Sequence, residues 1–175
     1  MSTEQTPARA GEPVVHLPQP AEIPEREKED AMAAYLMMFA SLAIGLPIPL
    51  FNLIASFVYY MVNRKTSPFV GFHALQSLLS HLPVVFVNAG LVAWLIVAIV
   101  SPAGFAGGFF GYLIFAVLLN LAYIVISIVA LVHARKGRFY YMPFFGRVSF
   151  LRFYGPKAEA RRRAPSWENR PPEGV

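Results

Sequence analysis

The feature that most limits what this chain can fold into is a run of 69 residues, 66–134, without a formal charge. A second uncharged run of 33 residues, 31–63, precedes it across the basic pair Arg64-Lys65. Eighteen or so apolar residues in succession are enough to suggest a membrane span. The distribution of charge sharpens the point. Of ten acidic residues, seven lie within 1–30 and three within 157–175. Between residues 31 and 156 the only formal charges are Arg64, Lys65, Arg135, Lys136, Arg138, Arg147 and Arg152. Hydrocarbon, not water, is therefore the expected solvent of the middle of the chain.

Several classes of function drop out on chemistry. With no cysteine there is no disulfide framework, thiolate zinc site, iron–sulfur cluster or Cys nucleophile. The net charge of +5 does not indicate nucleic-acid binding, because the bases flank apolar runs instead of covering a soluble face. Five prolines and seven acids within residues 1–30 exclude a secretory signal or an Arg-rich transit peptide.

The expected fold class is all-α: an integral membrane helical bundle of four helical segments, a short broken hairpin plus two long spans, and a C-terminal interfacial amphipathic helix. Residues 1–30 read as a disordered tail ending in EREKED, with too little apolar surface to offset ordering entropy. The run 31–63 is broken by Gly45-Leu46-Pro47-Ile48-Pro49, since each proline removes a donor and restricts the residue before it. That predicts two short helices, near 31–44 and 50–63, each about 21 Å long. After the polar turn NRKT, Ser67-Pro68 signals a helix start, with Ser as N-cap and Pro at the first helical position. The helix is expected to reach about Val100, kinked at Pro83, followed by an uncharged loop, 101–111, and a final span over 112–134. Residues 149–175 read as an interfacial end and a basic disordered tail. The basic residues flank the two long spans on one side, which the positive-inside rule assigns to the cytoplasm together with both termini.

Polar residues fall in stripes. The long helix carries His73, Gln76, Ser77, Ser80, His81 and Asn88; the last span carries Asn120, Tyr123 and Ser127. Steps of three, four and seven place each set on one helical face, where hydrocarbon forces the groups to find partners inside the bundle. Hydrogen-bonded packing between helices is one reading. The alternative is a small channel or carrier lined by His73, Gln76, His81, Asn88 and Asn120. His73 and His81 are about 12 Å apart along a helix, too far for one metal, and no carboxylate is near them in sequence. Ser77 sits one turn from each histidine, but an orienting acid and a GxSxG element are missing. No enzymatic activity, metal or cofactor is expected. Both histidines, near the cytoplasmic end, are expected to be wet. Beyond the last span, Arg138, Tyr140, Tyr141, Arg147 and Arg152 belong to a basic-aromatic run that suits the lipid interface.

The segment SPFVGFHALQSLL, with Phe72, His73, Ala74, Gln76 and Ser77, resembles the signature of a bacterial membrane family of unknown function. PLFNLIASFVYYMVNRK and KGRFYYMPFFGRV agree with its flanking elements. That family is similar to the small chloroplast inner-envelope import translocon subunit (Tic-twenty-like), and the resemblance covers residues 31–148. It implies a four-segment helical module without established enzymatic residues, in a membrane assembly or protein translocation complex. The expectation is a non-enzymatic multi-pass protein of the bacterial inner (plasma) membrane, a helix-packing subunit or homo-oligomer. Its partners would be membrane lipids, a second copy or another membrane protein, with no nucleic acid and no known small-molecule substrate.

Overall fold

The computed structural model describes residues 17–39, 49–101, 105, 107–155 and 172. Among them are five α-helices: α1 Glu25–Leu36, α2 Pro49–Asn63, α3 Pro68–Val100, α4 Phe109–Arg135 and α5 Phe145–Tyr154. A single 3-10 turn, Met37–Phe39, extends α1. No strand occurs among the described residues.

The start of α3 follows the local chemistry. Ser67 is extended (φ −154°, ψ 158°), its Oγ accepts the Val70 N–H at 3.1 Å, and Pro68 opens the helix. The helix then continues through Pro83 for 33 residues, about 50 Å against a hydrocarbon core of about 30 Å. Helix α4 ends in a Schellman turn at Gly137 (φ 69°): the Arg138 N–H reaches the His133 carbonyl at 2.9 Å, and the Gly137 N–H reaches Ala134 at 2.9 Å. A left-handed residue without Cβ ends the helix at little steric cost. Here it turns the chain back beneath the bundle.

The first segment departs from expectation. The helix expected near 31–44 starts earlier, at Glu25, inside the charged run, and is described as far as Phe39. Glu25 and Glu27 occupy its first turn, where the helix dipole favours acids. Lys28 donates to Glu25 at 2.7 Å, one turn apart, a spacing that supports a helix. Ala31, Ala34 and Tyr35 form its buried stripe, and Leu17 and Ile23 ahead of it are also buried. Ordered structure thus begins well before residue 31. The break at Gly45–Ile48 and the outer tails (1–16, 156–171 and 173–175) lie outside the described residues.

The core sits at the basic end of the molecule. Tyr35 of α1, Phe69 and Phe72 at the start of α3, Ala134 at the end of α4, Phe139, and Phe150 of α5 pack into one cluster. Phe139 meets the edges of Phe69 and Phe72 at ring-centre distances of 5.2 and 5.0 Å, the T-shaped geometry that the aromatic quadrupole favours. Away from this end, α3 and α4 are bare. Only 17% of the most hydrophobic window of α3, and 22% of that of α4, is buried. A core helix of a soluble domain would be mostly buried; surfaces such as Phe86, Ile99, Ile114 and Leu118 suit hydrocarbon instead. The result is two storeys, an aromatic cap of α1, residues 139–142 and α5, and a projecting apolar α3–α4 hairpin.

A buried polar network and a candidate interface

The cap is fastened by the amide of Gln76. Its Nε2 donates to the Tyr35 hydroxyl at 2.8 Å and to the Tyr140 carbonyl at 2.9 Å, while its Oε1 accepts the Met142 N–H at 3.2 Å. One carbonyl and one N–H of the backbone fix which end of the amide is which. The Tyr35 oxygen also lies 3.0 Å from His73 Nδ1. Because Gln76 already donates to that oxygen, the phenol proton goes to Nδ1, and the imidazole carries its own proton on Nε2. The Arg138 backbone interacts with the same ring. Ser77 adds a bond from Oγ to the Ala34 carbonyl at 2.8 Å. One face of α3 therefore ties α1 and the chain after α4 together.

Higher on the hairpin the stripes meet each other. His81 Nδ1 is 2.9 Å from the Tyr123 hydroxyl. Asn88 and Asn120 exchange amide hydrogen bonds at 3.1 and 2.8 Å, and Asn120 also donates to the Ala116 carbonyl at 2.7 Å. Phe72, His73, Ala74, Gln76, Ser77 and His81 are all buried, and Asn88 and Asn120 are half-buried. His73 is 0% and His81 4% exposed, so the expectation that both histidines are wet fails. The cause is coverage of His73 by α1 and Phe139, which lie far from it in sequence.

The basic-aromatic run divides. Tyr140 and Tyr141 pack against the core, where burial pushes the Tyr141 phenol above its ordinary pKa. Arg138 is half-buried, whereas Arg147 and Arg152 on α5 are exposed. Between the two groups, Pro143–Phe144–Phe145 forms a γ-turn: the Phe145 N–H donates to the Pro143 carbonyl at 2.7 Å, with Phe144 at φ 64°, ψ −55°. This three-residue turn is rare and strained, a backbone cost of about 1–3 kcal/mol for a residue with a side chain.

Sequence reasoning missed Tyr35 and the backbone of residues 140–142 as partners of Gln76. The Ala31/Ala34/Tyr35 spacing was the available signal for the first; the second had none. It also missed the strap between α1 and α4, in which Arg135 donates to Glu25 at 2.7 Å and lies 3.7 Å from Glu29. Hydrogen bonds from Lys28 and then Arg135 hold the Glu25 carboxyl below its ordinary value of 4.5. A lowered carboxylate pKa contributes stability that is full above the ordinary value and is lost as pH falls through the native one. Hydrogen exchange of the α1 amides is thus expected to speed up as pH drops below 4.5, beyond the intrinsic pH effect on exchange. Glu25→Gln should flatten that dependence. Exposure of both partners keeps the effect small.

Among the described residues, five helices, a polar-stitched cap and two helices long and apolar enough to cross a membrane define the class: a small helical protein with a membrane-type hairpin. The chain belongs to the MamF/MmsF family, the magnetosome magnetite crystal formation protein family, whose profile matches residues 27–149. This corrects the Tic-twenty-like resemblance. The FHALQS segment and its flanks lie inside the matched region, so short motifs around a membrane-type helix pointed to the wrong family, and the import role inferred from them falls away. No curated protein and no solved structure matches the chain.

Proposed function

We propose that this chain is a non-enzymatic integral membrane component of magnetite crystal formation, acting through helix packing with lipids and with itself or another membrane protein. The observation that carries the reading is the use made of the polar stripe. Gln76, Ser77, His81, Asn88 and Asn120 each bond to a group on another element of the same chain. Polar side chains spent on one another stitch a bundle; they do not line a path. The apolar flanks of α3 and α4 support insertion of the hairpin in the magnetosome membrane. Arg64, Lys65, Arg135, Lys136 and Arg138 support a cytoplasmic cap, and the Glu25–Arg135 pair supports the same side for the N-terminal segment. The sequence between α3 and α4 has no carboxylate, which favours an organising role over iron coordination from that loop.

The test uses cells that form magnetite, deleted for this chain and complemented with variants. Replacing both Asn88 and Asn120 by Leu removes the two partners together, which is nearly neutral for stability, while either single change strands one amide and costs about 1–2 kcal/mol. Under the packing reading the double variant restores crystal size and number. A pore lined by the stripe predicts a folded double variant that fails to restore them.

A further inference from the structure

We infer that α5 is a second membrane contact, docking on the anionic headgroup layer of the membrane that α3 and α4 cross, with Phe144 as its wedge. The inference rests on the membrane reading above. Helix α5 has two apolar faces. The inner one, Gly146, Ser149 and Phe150, is buried, and Gly71 of α3 lies so close to Phe153 that a Cβ there would overlap its ring. The outer one carries Val148 and Leu151, three apart and exposed by 39% and 38%, with Phe144 of the γ-turn just ahead of the helix exposed by 77%. Nothing among the described residues covers it.

Two observations identify the occupant. The first is charge. Exposed Arg147 and Arg152 flank the outer stripe, and residues 136–155 contain no Asp or Glu; Glu27 of α1 is felt at Tyr154, the last residue of α5. Arginines beside an apolar stripe match an anionic lipid surface, which takes the stems and rings below the phosphates and the guanidinium groups among them. The second is continuity. Only nine residues, 136–144, separate α5 from the end of α4, and Gly137 turns them back toward the start of α3, so α5 is held at the level where the hairpin leaves the hydrocarbon. The γ-turn adds direction. A strained backbone that presents an aromatic ring to the outside is hard to explain by folding alone, because glycine would adopt the turn without the penalty.

The natural chain has no cysteine, so single nitroxide labels report depth directly. The full-length chain is reconstituted in vesicles of phosphatidylcholine, alone or mixed equally with phosphatidylglycerol, with a label at Val148→Cys or, as a span marker, at Leu121→Cys. Expected is a Leu121→Cys label deep in hydrocarbon and a Val148→Cys label about 5–10 Å into the headgroup–acyl boundary, deeper in the anionic mixture. Arg147→Gln with Arg152→Gln should erase the difference between the two mixtures. Phe144→Gly should move the Val148→Cys label outward while leaving the unfolding midpoint in detergent equal or higher. A deep Leu121→Cys label with a water-accessible Val148→Cys label in both mixtures overturns the inference and leaves the membrane reading standing. A Val148→Cys label shielded from both water and lipid also overturns it, in favour of a protein neighbour. Water at both labels sinks the two readings together. A large drop in the midpoint for Phe144→Gly would make the ring structural and remove the wedge.

Discussion

Replacing Gln76 by Leu is expected to cost about 3–5 kcal/mol and to release the chain after α4 from the bundle before the bundle itself melts. Leucine fills much of the volume but satisfies nothing. The Tyr140 carbonyl and Met142 N–H lose their Gln76 partner, and the Tyr35 oxygen loses a donor. Each buried group left unpaired costs about 1–3 kcal/mol, more than the bond was worth on balance. Tyr35 keeps its contact with His73, so its share is the smallest. Thermal unfolding in detergent measures the total. Hydrogen exchange locates it: protection of the Met142 amide should vanish while the α3–α4 amides near Asn88 and Asn120 remain protected. Uniform loss across the hairpin would show that the cap and hairpin form one cooperative unit. In magnetite-forming cells this variant should fail to complement, in contrast to the paired asparagine change.

Gly146→Ala is the second large effect, and its sign is set by two opposing magnitudes. Alanine in place of glycine inside a helix is favourable by about 1 kcal/mol. Against that, a Cβ on Gly146 would lie 2.7 Å from the Tyr141 Cα, 2.9 Å from the Tyr141 carbonyl carbon and 2.9 Å from Gln76 Oε1. Two of those atoms are backbone and the third is bonded to Met142, so none moves alone. Overpacking of this kind costs about 1–3 kcal/mol or more, and Gly146→Ala should lower stability on balance. Gly71→Ala is the comparison. Its Cβ would meet the ring edge of Phe153 at 2.2 Å, a closer contact, but with a half-buried side chain that can swing. Its loss should be the smaller of the two, as read by unfolding midpoints of both variants in one detergent.

The particular residues show how far the sequence carried. Ser67-Pro68 marked the start of α3 because a cap and a first-turn proline act within three residues. Asn88 and Asn120 were assigned to facing stripes because helical periodicity is local, and the structure joins them. Their meeting as a pair required the register of α3 on α4. EREKED was misread because a run of charges looks the same in a solvated tail and in a helix whose acids sit at its N-terminus; the difference lay in Arg135, 110 residues away from Glu25. The aromatics after α4 were all assigned to the interface by composition. Phe139 and Phe150 instead fill the core, leaving Phe144 outside. Family membership was the plainest failure, since apolar helices with a few polar positions resemble one another across unrelated families.

The sequence alone determined that the middle of this chain is apolar and where its two long helices run. Removing every carboxylate from more than a hundred consecutive residues admits few structures but apolar helices, and their ends are written in neighbouring residues. Tertiary structure alone decided that the core is a cap at the basic end, that His73 is dry, and that Gln76 is the fastener. Its partners there stand 41 to 66 positions away along the chain. Contacts over such separations depend on how elements dock, and docking is a property of surfaces that no local pattern specifies.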